Sequence, residues 1–234
     1  MQPIAHIHTD FPTKFGVPRQ SGLVDRLTSA IVFEPEFRNP DYLRGIEGWS
    51  HLWLIWQFHR VAPDDYSPTV LPPKLGGKTR VGVFATRSPF RPNPLGMSCV
   101  VLTGVRQDAK LGPVLCLSGA DLMDGTPVFD IKPYLPYSDC FPDARAGFTA
   151  LAPDLLLDVD FPPELLAHIP EAHRSALLGV LSHDPRPSYQ DDPARRYGMA
   201  FAGFDIHFTV SEGRLTVVDV APLEPSEKKG SANQ

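Results

Sequence analysis

Arg87, Arg91 and Asn93 stand in the stretch Thr79–Ser98, TRVGVFATRSPFRPNPLGMS, interleaved with Pro89, Pro92 and Pro94. Guanidinium groups bind carboxylates and phosphates through charge-assisted, often paired hydrogen bonds, so two of them beside an amide make an anion-recognition set. The prolines forbid helix or central strand here. Arg91 and Asn93 each precede a proline and are biased towards extended backbone. Such a loop is stiff: it loses little entropy on binding and presents its polar groups in fixed directions. A proline-rich connector with solvated arginines has the same composition, so the surroundings must decide.

A second set repeats the design. Asp130–Tyr137, DIKPYLPY, holds charged and aromatic side chains between prolines at a strand end, with Asp130 and Lys132 on one face. The plain reading is an ion pair at a strand terminus; two stiffened ends in one small fold favour a shared site. Charge distribution points the same way. Residues 1–153 carry 15 Lys+Arg against 14 Asp+Glu and residues 154–234 carry 7 against 13, so the net charge of −5 belongs to the C-terminal third. Between Asp65 and Asp108 there is no carboxylate, while Lys74, Lys78, Arg80, Arg87, Arg91 and Arg106 fall in that gap. A one-signed patch suits phosphate or another anion, and a solvated basic face fits it too.

The elements that must position these groups read mainly as strands. His51–His59, HLWLIWQFH, is the strongest: Leu52, Leu54, Trp56 and Phe58 alternate with His51, Trp53, Ile55, Gln57 and His59. The first face is core, and the second fits a barrel interior or a ligand-facing wall. Further strands are expected at Ile4–His8, Ala30–Phe33, Val81–Thr86, Met97–Val105 and Val114–Leu117, with a hairpin at Asp124-Gly125 leading from Leu122-Met123 into Thr126–Ile131. Asn39-Pro40-Asp41 reads as the cap and first turn of a short helix running towards Gly48. Phe11–Gly22 and Pro63–Lys78 read as loops.

Composition shifts near Ala150–Asp154. After it, Leu155–Asp160 reads as a strand, Pro163–Ile169 and Pro170–Leu181 as helices opened by proline, and Phe201–Val210 with Leu215–Val220 as a hairpin turning at Glu212-Gly213. The fold class expected is mainly β: an antiparallel β-barrel domain over residues 1–150 and a small α+β C-terminal domain over 151–224. Residues 225–234 read as a disordered tail.

With 42% hydrophobic residues the chain can bury a proper core. It has no apolar run near 18 residues and no signal-peptide pattern, and reads as soluble and cytoplasmic, with no membrane partner. Cys99, Cys116 and Cys140 are widely spaced without a C-x-x-C pair, which opposes a disulfide framework or a zinc site and makes them buried small hydrophobes. His6 and His8 share a strand face but lack a third ligand. There is no βαβ alternation and no G-x-G-x-x-G, which opposes a Rossmann nucleotide site.

KFGVPRQSG at Lys14–Gly22, RGIEGWSHLW at Arg44–Trp53, PPKLGG at Pro72–Gly77, the RVGVFATRSPFRPNPLGMS stretch, DLMDGTPVFDIKPYLPY and DPRPSYQ at Asp184–Gln190 together resemble the TrmO family, also called TsaA-like or YaeB-like. The resemblance covers nearly the whole chain. It implies a β-barrel methyltransferase, usually a homodimer, that uses S-adenosylmethionine to methylate N6 of N6-threonylcarbamoyladenosine just 3′ of the anticodon in tRNA. It implies cofactor contacts at Thr9, Asp10, Phe11, Ser50, His51, Gly77, Arg87, Phe129, Asp130, Ile131 and Lys132, with Arg91, Asn93 and Tyr134 lining the same site. Thr9-Asp10 stands where Ser-Pro or a similar pair is expected, which makes Asp10 the departure.

Methyl transfer from a sulfonium is an in-line displacement, served by rigid positioning. N6 must lose a proton, so a base is expected, with Asp130 the first candidate and His51 the second. Lys74 and Lys78 are expected substrate contacts, and Trp53, Phe90, Tyr134 and Tyr137 are placed to stack an anticodon-loop base. Two other readings remain open at this level: a non-catalytic RNA-binding barrel, and an enzyme acting on a small anionic molecule.

Overall fold

A computed structural model describes residues 1–62, 64–151, 156–186 and 192–224. The expected tail 225–234, the last four residues of DPRPSYQ and part of the 150–154 boundary lie outside the described residues.

The first part of the chain forms β1 (Ala5–His8), β2 (Thr28–Phe33), β3 (His51–Gln57), β4 (Thr69–Val70), β5 (Val81–Gly82), β6 (Leu95–Asp108), β7 (Gly112–Ser118) and β8 (Thr126–Pro133). In the order β1-β2-β7-β6-β3-β8 every strand bonds antiparallel to the next, and β8 bonds back to β1, so the ladder closes on itself. A closed ladder has no unpaired edge. The period-two pattern of β3 is realised: Leu52, Leu54 and Trp56 are buried with Ile7, Ile31, Val100, Leu115, Leu117 and Val128. Burying each such aliphatic side chain contributes about 1.5–3 kcal/mol, which fixes the register. The short β4 and β5 pair only with each other.

After β8 comes α1 (Pro136–Asp139), and the remainder builds β9 (Asp158–Asp160), α2 (Pro163–Leu166), α3 (Glu171–Ser182), β10 (Tyr197–Phe201), β11 (Phe204–Ser211) and β12 (Arg214–Pro222). The sheet order is β10-β11-β12-β9, antiparallel except for the parallel β9–β12 pair. Ala176, Leu177, Val180 and Leu181 form the buried stripe of α3. They share a second core with Phe201, Ile206, Phe208, Leu215 and Val217. The stretch joining β1 to β2 is loop, as its composition predicts, yet Phe11, Val24 and Leu27 are buried in this second core. Phe11 meets Phe201 edge to face at 5.2 Å. Gly16 makes that docking possible: its φ is +91°, and a Cβ there would overlap Met199.

Several expectations are corrected. The strand over Val81–Thr86 ends at Gly82 and continues as a 3-10 turn: opposite Val83 in the β4–β5 register stands Pro68, which accepts from Val83 N but has no N–H to extend the ladder. Leu122-Met123 is not a strand, so Asp124-Gly125 is not a hairpin turn: Asp124 Oδ1 accepts from Thr9 N at 3.1 Å and Gly125 N donates to Ile7 O, and β8 then pairs with β1 and β3. The short helix after Asn39 is two 3-10 turns, Pro40–Leu43 and Ile46–Gly48, broken by Gly45, although Asn39 does cap the first. Cys140 is exposed rather than buried, and Cys99 and Cys116 are half-buried.

Candidate functional site

The proline loop turns the chain from β5 into β6. Thr86 Oγ1 accepts from Ser88 N, Ser88 Oγ accepts from Phe90 N, and Phe58 N donates to Pro94 O at 2.8 Å, pinning the loop to the end of β3. Beneath it opens a cavity of about 820 Å³, within the ~300–1,000 Å³ typical of ligand pockets. Its walls come from four stretches far apart in sequence: Lys14–Gln20, Ile55–Val61, Thr86–Met97 and Asp121–Met123.

The walls are mainly apolar, and the charged groups set in them are mostly cationic. Lys14, Arg19, Arg60, Arg87 and Arg91 face Asp65 and Asp121. Arg87 Nη1 donates to Gln20 Oε1 at 2.5 Å, and Arg91 Nη1 donates to Thr86 O and Ser88 O at 3.2 and 3.4 Å. Trp56 Nε1 donates to Ser98 Oγ (3.0 Å), which donates to Asp121 Oδ1 (2.5 Å). Burial raises the Asp121 carboxyl above the ordinary value, opposed by the Ser98 hydrogen bond and the charge of Arg87. His59 moves the other way, lowered by desolvation and then by Arg60. Gly96, opposite Trp56 in the β3–β6 ladder, leaves room for the indole, which a Cβ would overlap.

Of the residues expected from sequence, Arg87, Phe90, Arg91 and Asn93 line this cavity together, with Ile55, Gln57 and His59 from the expected ligand-facing side of His51–His59. The others are elsewhere among the described residues. His51 and Gln57 bound β3, six residues apart, which separates its ends by about 20 Å. Ser50, His51 and Tyr134 gather at the far end: Ser50 Oγ lies 2.9 Å from His51 Nδ1, Tyr134 N donates to His51 O, and the Tyr134 ring lies 6.0 Å from His51 and 5.9 Å from Trp53. Trp53 Nε1 donates to Asp139 Oδ2 at 2.8 Å, and the hydrogen bonds from Leu135 N and Trp53 lower that carboxyl. Asp130 pairs with Lys132 at 2.7 Å and sits opposite Ile55. Phe129 and Ile131 flank it, Phe129 at an irregularity in the β3–β8 register. Asp10 pairs with His173 of α3 at 3.1 Å, the Phe11 ring is core, and Thr9 Oγ1 donates to Leu122 O. Gly77, Lys74 and Lys78 lie around the 3-10 turn Pro73–Leu75, outside the cavity wall.

The tRNA-methyltransferase O N-terminal domain matches residues 6–140, and the TrmO C-terminal domain matches residues 154–223. The chain belongs to the TrmO family. A curated relative from Escherichia coli K12, a tRNA (adenine(37)-N6)-methyltransferase, is 38% identical over 229 residues, 94% of this chain and 97% of its own. One of the same name from Eikenella corrodens is 44% identical over 176 residues, 75% of this chain and 98% of its own. A crystal structure of TrmO from Pseudomonas aeruginosa superposes with a TM-score of 0.76 at 35% identity, covering 94% of this chain and 95% of that one. A relative from the same organism is named a putative S-adenosylmethionine-dependent methyltransferase.

Within the TrmO fold of this chain, sequence reasoning missed Pro18–Gln20, Arg60 and Asp121–Met123 as cavity wall. The signal was present: KFGVPRQSG and DLMDG are among the motifs that carry the resemblance, and each puts charged or amide groups in loops after β1 and before β8. Among the described residues no group of three or more His, Cys, Asp or Glu is placed to hold a metal ion.

Proposed function

We propose that this protein is a tRNA (adenine(37)-N6)-methyltransferase that binds S-adenosylmethionine in the cavity under the proline loop and methylates N6 of N6-threonylcarbamoyladenosine. The observation that carries the reading is the convergence of Arg19, Arg87, Asp121 and His59 on one large cavity in a chain of the TrmO family. S-adenosylmethionine, when bound, supplies an electrophilic methyl group on a sulfonium. This chain's residues fit that ligand's charges. Arg87, aimed by Gln20, and Arg19 would hold its carboxylate; Asp121 would face its cationic ammonium or sulfonium; Trp56, Phe58 and Phe90 supply aromatic surface and exclude water.

His59 is the base in this reading. Its lowered proton affinity keeps the imidazole neutral near pH 7, ready to accept the N6 proton as the new N–C bond forms. Arg91 and Asn93, at the cavity mouth, would take the threonyl carboxylate and the base edge. Asp130 and His51, lying outside the cavity wall, are assigned other work: the cluster of Ser50, His51, Trp53, Lys132 and Tyr134 would meet the anticodon loop, with Tyr134 and Trp53 as stacking surfaces.

The reading has further parts. The closed six-stranded ladder would be the family's β-barrel catalytic unit over residues 1–150, and residues 151–224 a separate tRNA-positioning unit. The chain would work as a homodimer in the cytoplasm. Tyr137 and Phe141, 88% and 73% exposed on and beside α1, supply apolar surface for a second copy. No helix among the described residues is long and apolar enough to cross a membrane.

The test is transfer of labelled methyl from S-adenosylmethionine to two tRNA pools, one carrying threonylcarbamoyladenosine and one from cells unable to make it. Label confined to the first pool is the expected result. Binding of tRNA without label in either pool would leave a non-catalytic RNA-binding protein as the better account.

A further inference from the structure

Ser98 closes the proline stretch and is 1% exposed, one of two polar side chains in the buried core among the described residues. It stands on the core face of β6 between Gly96 and Val100, opposite Leu54 of β3. Strand alternation assigns that position to an apolar side chain. A hydroxyl there needs its hydrogen bonds made, and both of its partners, Trp56 and Asp121, are in the wall of the large cavity while Ser98 is not. We infer that Ser98 is a positioning residue for methyl-donor binding: it holds Oδ1 of Asp121 against β6, so that Oδ2 meets the donor's positive charge. The inference rests on the reading of the large cavity given above.

The direction of this chain of hydrogen bonds is fixed. An indole nitrogen only donates, so Trp56 Nε1 donates to Ser98 Oγ at 3.0 Å. The Ser98 hydroxyl proton must then point elsewhere, and Asp121 Oδ1 at 2.5 Å is its acceptor. Trp56 is itself held in place, because Gly96 leaves the space that the indole fills. An oxygen that always accepts is not the one that carries a proton. Oδ1 therefore stays an acceptor in either charge state of Asp121, and Oδ2 is left for a ligand.

Charge supports the same role. Burial raises the Asp121 carboxyl above its ordinary value, and the Ser98 hydrogen bond is the largest effect in the opposite direction, ahead of the Arg87 charge and the N–H of Ser21. Ser98 thus both aims the carboxylate and favours its ionised form, the form that attracts a cation. The other cavity cations, Lys14, Arg19, Arg60 and Arg91, keep their charge over the working pH range, while His59 and Asp65 can change theirs. All of these are common to wild type and a Ser98 variant, so the difference between the two belongs to Asp121.

The experiment follows the Asp121 carboxyl by carbon-13 NMR in the ligand-free full chain, and S-adenosylmethionine affinity by calorimetry, from about pH 4 to 8, in wild type, Ser98→Ala and Ser98→Thr. Ser98→Ala should move the carboxyl titration to higher pH and weaken donor binding several-fold, the loss being largest where only the variant's carboxyl is protonated. Ser98→Thr keeps the hydroxyl and should restore both. Should the stranded indole N–H unfold Ser98→Ala, the double variant with Trp56→Phe removes that N–H and reads the same carboxyl. An unmoved titration without the Ser98 hydroxyl would overturn the inference, as would wild-type donor affinity at every pH or a loss that is equal at every pH and not restored by threonine. In each of those cases wild type still binds the donor, and the reading of the large cavity stands. A wild type that binds no S-adenosylmethionine would bring down that reading and the role of Ser98 with it.

Discussion

Arg87 Nη1 donates a 2.5 Å hydrogen bond to Gln20 Oε1, joining the proline loop before β6 to the loop after β1 across 67 residues of sequence. Neither loop alone encloses anything. Together they close the large cavity and hold one guanidinium at a fixed angle within it. Gln20→Ala removes the aim but not the charge. It should raise the Kd for S-adenosylmethionine about 2- to 12-fold, the equivalent of one ordinary hydrogen bond of about 0.5–1.5 kcal/mol, read by calorimetry.

His59, the proposed base, has a folded proton affinity below the ordinary 6.5. Single-turnover methylation should be flat through pH 7–8 and fall only as acid protonates the ring below that value. His59→Gln should slow the step by about 10²–10⁴-fold and abolish the acid limb. An unchanged limb in the variant would assign the titration to another group.

Asp121 trades stability for charge. Its carboxyl is raised in the fold, so the native state holds a proton that the unfolded chain releases; stability is therefore lost as pH rises from the unfolded value of 3.8 through the folded one. Asp121→Asn keeps an acceptor for Ser98 and removes that cost. The variant should melt higher than wild type at pH 8, the gap closing below pH 4, while its affinity for the donor falls. Thermal melts at the two pH values check the first part and calorimetry the second.

Gly16 holds the loop that carries Lys14–Gln20 against the second core. Gly16→Ala meets both a left-handed backbone and the Met199 side chain. It should cost at least about 1–2 kcal/mol in a denaturant titration and weaken donor binding with it, because the displaced loop carries Arg19 and Gln20.

The strands were legible because β3 is buried on one face only, so its alternation survives in the sequence, and the Glu212-Gly213 hairpin was legible from its turn residues. Arg87, Arg91 and Asn93 were legible as a set because prolines confine them locally. What stayed hidden depended on ring closure. No local pattern says that β8 pairs with both β1 and β3, and so none says that Asp121–Met123 lies beside His59 rather than in a hairpin. The same ignorance joined His51 and Tyr134 to Arg87, although those two gather at the end of β3 away from the cavity wall that Arg87 lines. Phe11 and Asp10 read as ligand-side residues, whereas one is core and the other pairs with α3.

The location of the methyl donor is the central claim, and calorimetric titration of S-adenosylmethionine into wild type, Arg87→Ala and His51→Ala tests it most directly. Arg87→Ala should lose about 10- to 100-fold in affinity, the equivalent of a charge-assisted hydrogen bond of about 1.5–3 kcal/mol, and His51→Ala should bind as wild type does. Loss in His51→Ala with full affinity in Arg87→Ala would put the donor at the other end of β3 and contradict the account.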